Sequence, residues 1–261
     1  MASVKGNVMI SGTIGDMTFF IRNGKSFVRK KTSLDKKRMK ADPNFKRTIE
    51  SAYEFGAAST IGRAILDQLD PWHKKISDGQ FWNRLKSHIH KTLKDGPGDR
   101  GRRTFEGNRA AKNIKGMNLN NSFEFDRTFY PVLAPFAVNM FGDWQLNVPE
   151  INPKKNMMIP EGATHYNLVF GCLVLSPFDW NKLTEKYGPS AGAKPPRAIF
   201  TESGPLPLLV DKNPAMNLMV NLPTQTGEGI IGLTGIVFSQ EVDGVHYPLE
   251  SGAAMRFVNV N

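Results

Sequence analysis

The 261-residue chain is 40% hydrophobic and 10% aromatic, which excludes wholesale disorder and allows one large domain or two small ones. Its net charge of +10 is unevenly spread: residues 1–115 hold 25 Lys/Arg against 11 Asp/Glu, and residues 116–261 hold 9 against 13. A single cysteine, Cys172, excludes an intramolecular disulfide and a Cys-based zinc site, and no run approaches the roughly 18 apolar residues of a membrane span.

In chain order, Gly12 and Gly15 first signal tight backbone turns. Met17–Arg22 and Lys25–Lys30 then flank Asn23-Gly24, the pair best suited to the two φ > 0 positions of a type I′ turn, so a β-hairpin is expected. Two strands alone are marginal in water, so this hairpin needs cover. Asp42-Pro43 reads as a helix start, with Asp as cap and Pro at the first position. Phe45, Ile49, Ala52, Phe55, Ala58, Ile61, Ile65 and Leu69 follow at helical spacing, up to Asp70-Pro71. A second helix is expected from about Asp78, with Phe81, Leu85, Ile89 and Leu93 on one face, ending at Gly96-Pro97-Gly98. The two make a helical hairpin, with Trp72, Phe81 and Trp82 as core between them. Residues 95–121 are polar, Gly-rich and basic, and read as a linker or an ordered loop.

Beyond residue 121 the texture turns to β. The run 168–175 is continuously apolar and holds Cys172, expected to be a small buried hydrophobe. A short helix is expected over 177–187. Met216, Leu218, Val220 and Leu222 alternate with Asn217, Met219 and Asn221, and a long β-branched stretch covers 229–242. Asp243-Gly244 turns it into Val245-His246-Tyr247, and a last strand is expected over 255–260. The expected class is α+β: an N-terminal β-hairpin and helical hairpin, residues 1–121, followed by an antiparallel β-sandwich, residues 122–261.

The strongest functional signal is the stretch from Arg22 to Arg47, with 11 Lys/Arg against Asp35 and Asp42 alone, and Phe27 and Phe45 interleaved. Arg22, Lys25, Arg29, Lys30, Lys31, Lys36, Lys37, Arg38 and Lys40 suit an acidic partner, nucleic acid included, because each phosphate neutralised releases counterions. Arg100, Arg102 and Arg103 extend the set, in a Gly-rich loop that lacks the Lys-Ser/Thr ending of a P-loop. His88 and His90 lie two apart on a helix, and His73, His165 and His246 have no carboxylate or Cys at ligand spacing. No catalytic motif is present, so no enzyme, cofactor or metal is expected.

The runs Ser11–Phe20, Asn23–Lys30 and Lys40–Thr48 together resemble the start of a family of small uncharacterised proteins common in Bacteroidetes genomes; Pro160–Tyr166 is similar to their sandwich half. The likeness covers the first 65 residues well and the remainder loosely. It implies a two-part architecture and no known activity. The uncovered apolar hairpin, and the opposite charges of the two parts, which favour head-to-tail contacts between copies, lead to the expectation of a non-enzymatic structural protein, located in the cytoplasm or within an assembled, virion-like particle. Copies would associate through Phe19, Phe20, Ile21 and Val28 into an oligomer, filament, shell or lattice. Nucleic acid is the alternative partner, and no membrane is expected.

Overall fold

Asn23 (φ +51°) and Gly24 (φ +71°) form the expected two-residue turn, so Arg22 faces Lys25 and the hairpin register is set. The computed structural model describes all residues except 1, 4–9, 32–35, 134–136, 139–142, 250 and 259–261. Its chain forms two compact units, Met1–Ile49 and Glu50–Asn261. The first holds β1 (Ala2–Ser3), β2 (Gly12–Ile14), β3 (Met17–Arg22) and β4 (Lys25–Lys30) in one antiparallel sheet, ordered β1-β4-β3-β2. Gly15 (φ +56°) supplies the turn between β2 and β3. The hairpin thus gains a strand on each side. α1 (Lys36–Ala41) follows, then a 3₁₀ turn at Pro43–Phe45, where the Asp42 carboxylate accepts the Asn44 amide at 3.0 Å. That cap opens the 3₁₀ turn, which runs directly into α2 (Lys46–Gln68), so the Asp-Pro pair begins a helical stretch as expected.

The second unit continues with α3 (Trp72–Ile76), α4 (Phe81–Lys94), α5 (Gly107–Ile114) and α6 (Phe125–Thr128). Next come β5 (Ala137–Val138), β6 (Asp143–Val148), α7 (Pro153–Asn156), β7 (His165–Leu175), β8 (Phe178–Asn181), β9 (Lys186–Pro189), β10 (Arg197–Glu202), β11 (Leu206–Pro207) and β12 (Met216–Asn221). The long β13 (Gly229–Val242), β14 (Val245–Pro248) and β15 (Ala254–Val258) complete it. The main antiparallel sheet runs β10-β7-β13-β14, with β11 also on β7 and β15 also on β13; a smaller sheet is ordered β12-β6-β5.

Strand β7 explains its own composition. Val169, Leu173 and Leu175 pack with Ile231, Leu233, Met255 and Phe257 against helix residues such as Ile61, Ile65, Leu85, Ile89 and Ile114. Leu168, Phe170, Cys172 and Val174 face the other way, with Ile236 and Phe238, onto Leu146, Val148, Leu218 and Val220 of the smaller sheet. A strand covered on both faces reads as one apolar run, and the period-2 signal disappears. Two sheets pack face to face as expected, and the helices form a third layer over the main sheet. Burial pushes the Cys172 thiol up to about 12, in keeping with an inert core cysteine.

The helices and the main sheet therefore share one core, which lies on both sides of the expected division at residue 121. Trp72 is buried and meets Phe200 of β10 at 6.2 Å, so it packs on the sheet, beyond a simple contact between helices. Residues 95–121 are an ordered part of the core: Phe105 and Phe178 exchange backbone hydrogen bonds of 2.8 and 3.0 Å, and Leu119 donates to the Met255 carbonyl at 2.8 Å. Residues 178–189 form the β8–β9 hairpin in place of the helix expected over 177–187. Trp180 and Tyr187 lie directly opposite with rings 5.5 Å apart, and Asn181 accepts the Leu183 and Thr184 amides in the turn. A cross-strand aromatic pair plus an Asn-capped turn outweighs the weak helical pattern. Among the described residues, no helix is long and apolar enough to cross a membrane.

Candidate functional site

The register of the N-terminal sheet sorts its residues onto two faces. Facing pairs share a face, so Met17, Phe19 and Ile21 of β3 lie with Ile14 of β2 and with Ser26, Val28 and Lys30 of β4. The other face carries Phe20 and Phe27, stacked at 5.7 Å, with Arg29 over the Phe20 ring at 5.8 Å. Arg22, Lys25, Thr13 and Thr18 complete that face, the two threonine hydroxyls 3.2 Å apart. Of the expected contact residues, Phe19, Ile21 and Val28 thus stand on an apolar face, and Phe20 stands with the cations. Ile14, Met17 and Ile21 are 64%, 53% and 43% exposed. Among the described residues of Met1–Ile49, none is buried.

Arg22, Lys25, Arg29, Lys30 and Lys31 are exposed on or beside this sheet, as is Lys40 after it. The side chains of Lys36, Lys37 and Arg38 lie outside the described residues. By sequence, residues 1–49 hold 12 Lys/Arg against 3 Asp/Glu, a balance of +9, so the chain's excess charge sits almost wholly in the first unit.

Arg100, Arg102 and Arg103 are bound up within the second unit. The Glu54 carboxylate, 2% exposed, accepts the Gly101 amide at 2.9 Å and Arg103 Nη1 at 3.1 Å. Arg100 donates to Ser51 Oγ at 2.9 Å and lies 3.8 Å from Glu50, while Arg102 covers the Trp180 ring at 5.9 Å. Gly101 (φ +86°) is required here, since a Cβ would come within 2.9 Å of the Glu50 backbone. The loop is a clamp on α2, and its arginines already have partners of their own.

A third cluster was hidden by sequence distance. His165 opens β7, Glu241 nears the end of β13 and His246 lies in β14. Their ligand atoms all fall within 4.8 Å of one another. Glu241 pairs directly with His246 across β13–β14, and Ser239, two residues before, pairs with His165 across β13–β7. The two imidazoles meet edge to face with centroids 4.7 Å apart, and His165 Nε2 lies 3.5 Å from Glu241 Oε2. Thr164 Oγ1 stands 3.0 Å from His165 Nδ1 and accepts the Glu241 amide at 2.7 Å. Alongside is a cavity of about 220 Å³ lined by Trp72, Lys75, Asn167, Glu202, Ser239 and His246, among others. The Ser239 hydroxyl is buried with no hydrogen-bond partner. No carboxylate stands at a recognisable ligand spacing from His165 or His246 along the chain, and the strand pairing supplies Glu241 in space. The Asp243-Gly244 turn could have exposed half of the cluster, because a two-residue loop pairs Val242 with Val245 and hence Glu241 with His246.

No protein-family model, no curated protein and no solved structure matches the chain.

Proposed function

We propose that this is a non-enzymatic assembly protein whose N-terminal sheet docks onto the same sheet of a second copy. One observation carries the reading: a four-stranded sheet with an apolar face and no buried residue among those described has no interior of its own. Sheets stack face to face about 10 Å apart when apolar side chains interdigitate. The partner is a second copy because an apolar face can stack on its own copy, and Lys30, at the end of β4 opposite Met17, is the one cation of β3 and β4 on that face. With Ile14, Met17, Phe19, Ile21 and Val28 turned inward, Arg22, Lys25 and Arg29 remain in water on the outer face. Such a contact closes as a pair, and the short β1 and β2 edges offer the route to larger assemblies.

Light scattering coupled to size exclusion tests this at low and high salt. The expected species exceeds the 29.1 kDa monomer and persists or grows as salt screens the repulsion between +9 units. Met17→Lys with Ile21→Lys, both at exposed positions, should return it to monomer. A wild type that stays monomeric at every concentration would defeat the proposal.

A second reading draws on the opposite face. Stacked Phe20 and Phe27 flanked by Arg22, Lys25 and Arg29 form an aromatic and cationic platform of the sort that binds single-stranded nucleic acid. Fluorescence anisotropy with a short single strand should then show affinity falling steeply with salt. Phe20→Ala should weaken it by about 1–3 kcal/mol. Anisotropy that does not change with added protein would remove this reading and leave the first intact.

A further inference from the structure

We infer that His165, Glu241 and His246 form a binding site for one divalent transition-metal ion of the zinc type, with an exchangeable position open to the adjacent cavity. The donor set is two imidazoles and one carboxylate, which suits zinc and its first-row neighbours better than calcium or magnesium, whose shells are built from oxygen. The geometry is close to what such an ion needs. Donors held at about 2.0–2.1 Å in a tetrahedral shell are roughly 3.3 Å apart. His165 Nε2 and Glu241 Oε2 already stand at 3.5 Å, and all three donors lie within 4.8 Å. His246 and Glu241 are exposed, so the remaining adjustment is a side-chain rotation that disturbs no core packing.

Two further observations separate this cluster from an ordinary surface ion pair. The first is the support behind it. Thr164 Oγ1 contacts Nδ1 of His165 and also accepts the backbone amide of Glu241, so one hydroxyl fixes both a ligand ring and a ligand-bearing strand. In the tautomer whose Nδ1–H donates to Thr164, the lone pair of His165 stands on Nε2, the nitrogen 3.5 Å from Glu241 Oε2. Metal-binding histidines are oriented in this way by the partner of their second nitrogen. The second is the cavity. Three protein ligands leave a coordination position for water or another small ligand. The buried Ser239 hydroxyl lines the cavity with no partner, on the same face of β13 as Glu241 and directly opposite His165. A metal-bound water or anion would satisfy it, with the Lys75 ammonium at the same cavity.

Chelator-treated, untagged full-length chain titrated with Zn²⁺ by calorimetry tests the site. One ion per chain is expected, and Co²⁺ should give the visible absorption of a low-coordinate N/O shell. His246→Ala and Glu241→Gln should each weaken binding by more than about tenfold, and Thr164→Val, acting through His165, by about 10–100-fold. Without metal the unfolding midpoints of His246→Ala and Glu241→Gln, both at exposed positions, should match the wild type, and only the wild type's should rise strongly with Zn²⁺. A His88→Ala control should bind as wild type. Absent saturable binding, or binding that survives both His246→Ala and Glu241→Gln, would overturn the assignment. The result is independent of the oligomeric state.

Discussion

Gly107 and Gly229 stand back to back where the start of α5 meets the start of β13. A Cβ on Gly107 would lie 1.9 Å from the Leu175 carbonyl oxygen and 2.7 Å from the Gly229 nitrogen; one on Gly229 would lie 2.1 Å from the Gly107 carbonyl oxygen. The obstacles are backbone, which cannot rotate aside. Either Gly→Ala change should therefore destabilise the second unit by about 3 kcal/mol or more, the upper end of overpacking costs. Gly56, on the exposed face of α2 with nothing within 4 Å of its would-be Cβ, should behave oppositely, and Gly56→Ala should stabilise by about 0.5–1 kcal/mol. Denaturant unfolding of the three variants checks the contrast.

Acid should loosen the second unit through two carboxylates. Glu228, 1% exposed in its side chain, accepts Arg197 Nη1 at 2.7 Å and Nη2 at 2.8 Å. Those bonds hold its carboxyl below the usual range against the opposing effect of burial, helped by the Gln225 amide. At Asp78, burial raises the carboxyl, but the Arg84 guanidinium with the Asn121 and Gln80 amides outweighs it and holds it at about 2. Folded values below the unfolded ones mean stability that is complete above about pH 4.5 and is lost as pH falls toward 2.

The same pair gives a variant with an opposite pH response. Arg197→Met leaves a buried, unpaired Glu228 carboxylate and should cost about 3–5 kcal/mol at neutral pH. That deficit should shrink as pH falls, because protonation neutralises the stranded charge. A deficit that stays constant down to about pH 3 would show that Glu228 is not its source.

Glu54→Ala should release the arginine loop. It removes the acceptor for the Gly101 amide and for Arg103, at a cost of about 1–3 kcal/mol. Limited trypsin digestion should then cut at residues 100–103 well before the rest of the folded chain, while Glu54→Gln, which keeps an acceptor, should resist longer.

Gly24→Val probes the first unit alone. Gly24 has φ +71° and open space around it, so the penalty is conformational, about 1–2 kcal/mol for a side chain forced into the left-handed region. If the sheet is the contact between copies, the assembly should dissociate at higher protein concentration than wild type, as read by light scattering, with the unfolding of the second unit unchanged.

What the amino-acid order reveals here depends on how local the determining contact is. Asn23-Gly24, Asp42-Pro43 and Asp243-Gly244 each set a turn or cap within four residues, and each element formed where expected. α5 is hard to read because its stripe, Gly107, Ala110, Ala111 and Ile114, spans only eight residues of mostly small side chains inside a polar, Gly-rich stretch. The β8–β9 hairpin depends on Trp180 meeting Tyr187 across a turn that no Gly or Pro announces. The second unit's candidate site needed two scales at once. Glu241 and His246 are joined by a readable turn, whereas His165 reaches them only through β7–β13 pairing over more than seventy residues.

A sheet without an inside has a thermodynamic corollary. If its missing interior is supplied by a neighbouring molecule, the order of the first 49 residues belongs to the population, not to the single molecule, and dilution acts on it as a denaturant would. Heating a dilute sample should then melt these strands in a separate, concentration-sensitive step, ahead of a second unit whose double core is wholly its own.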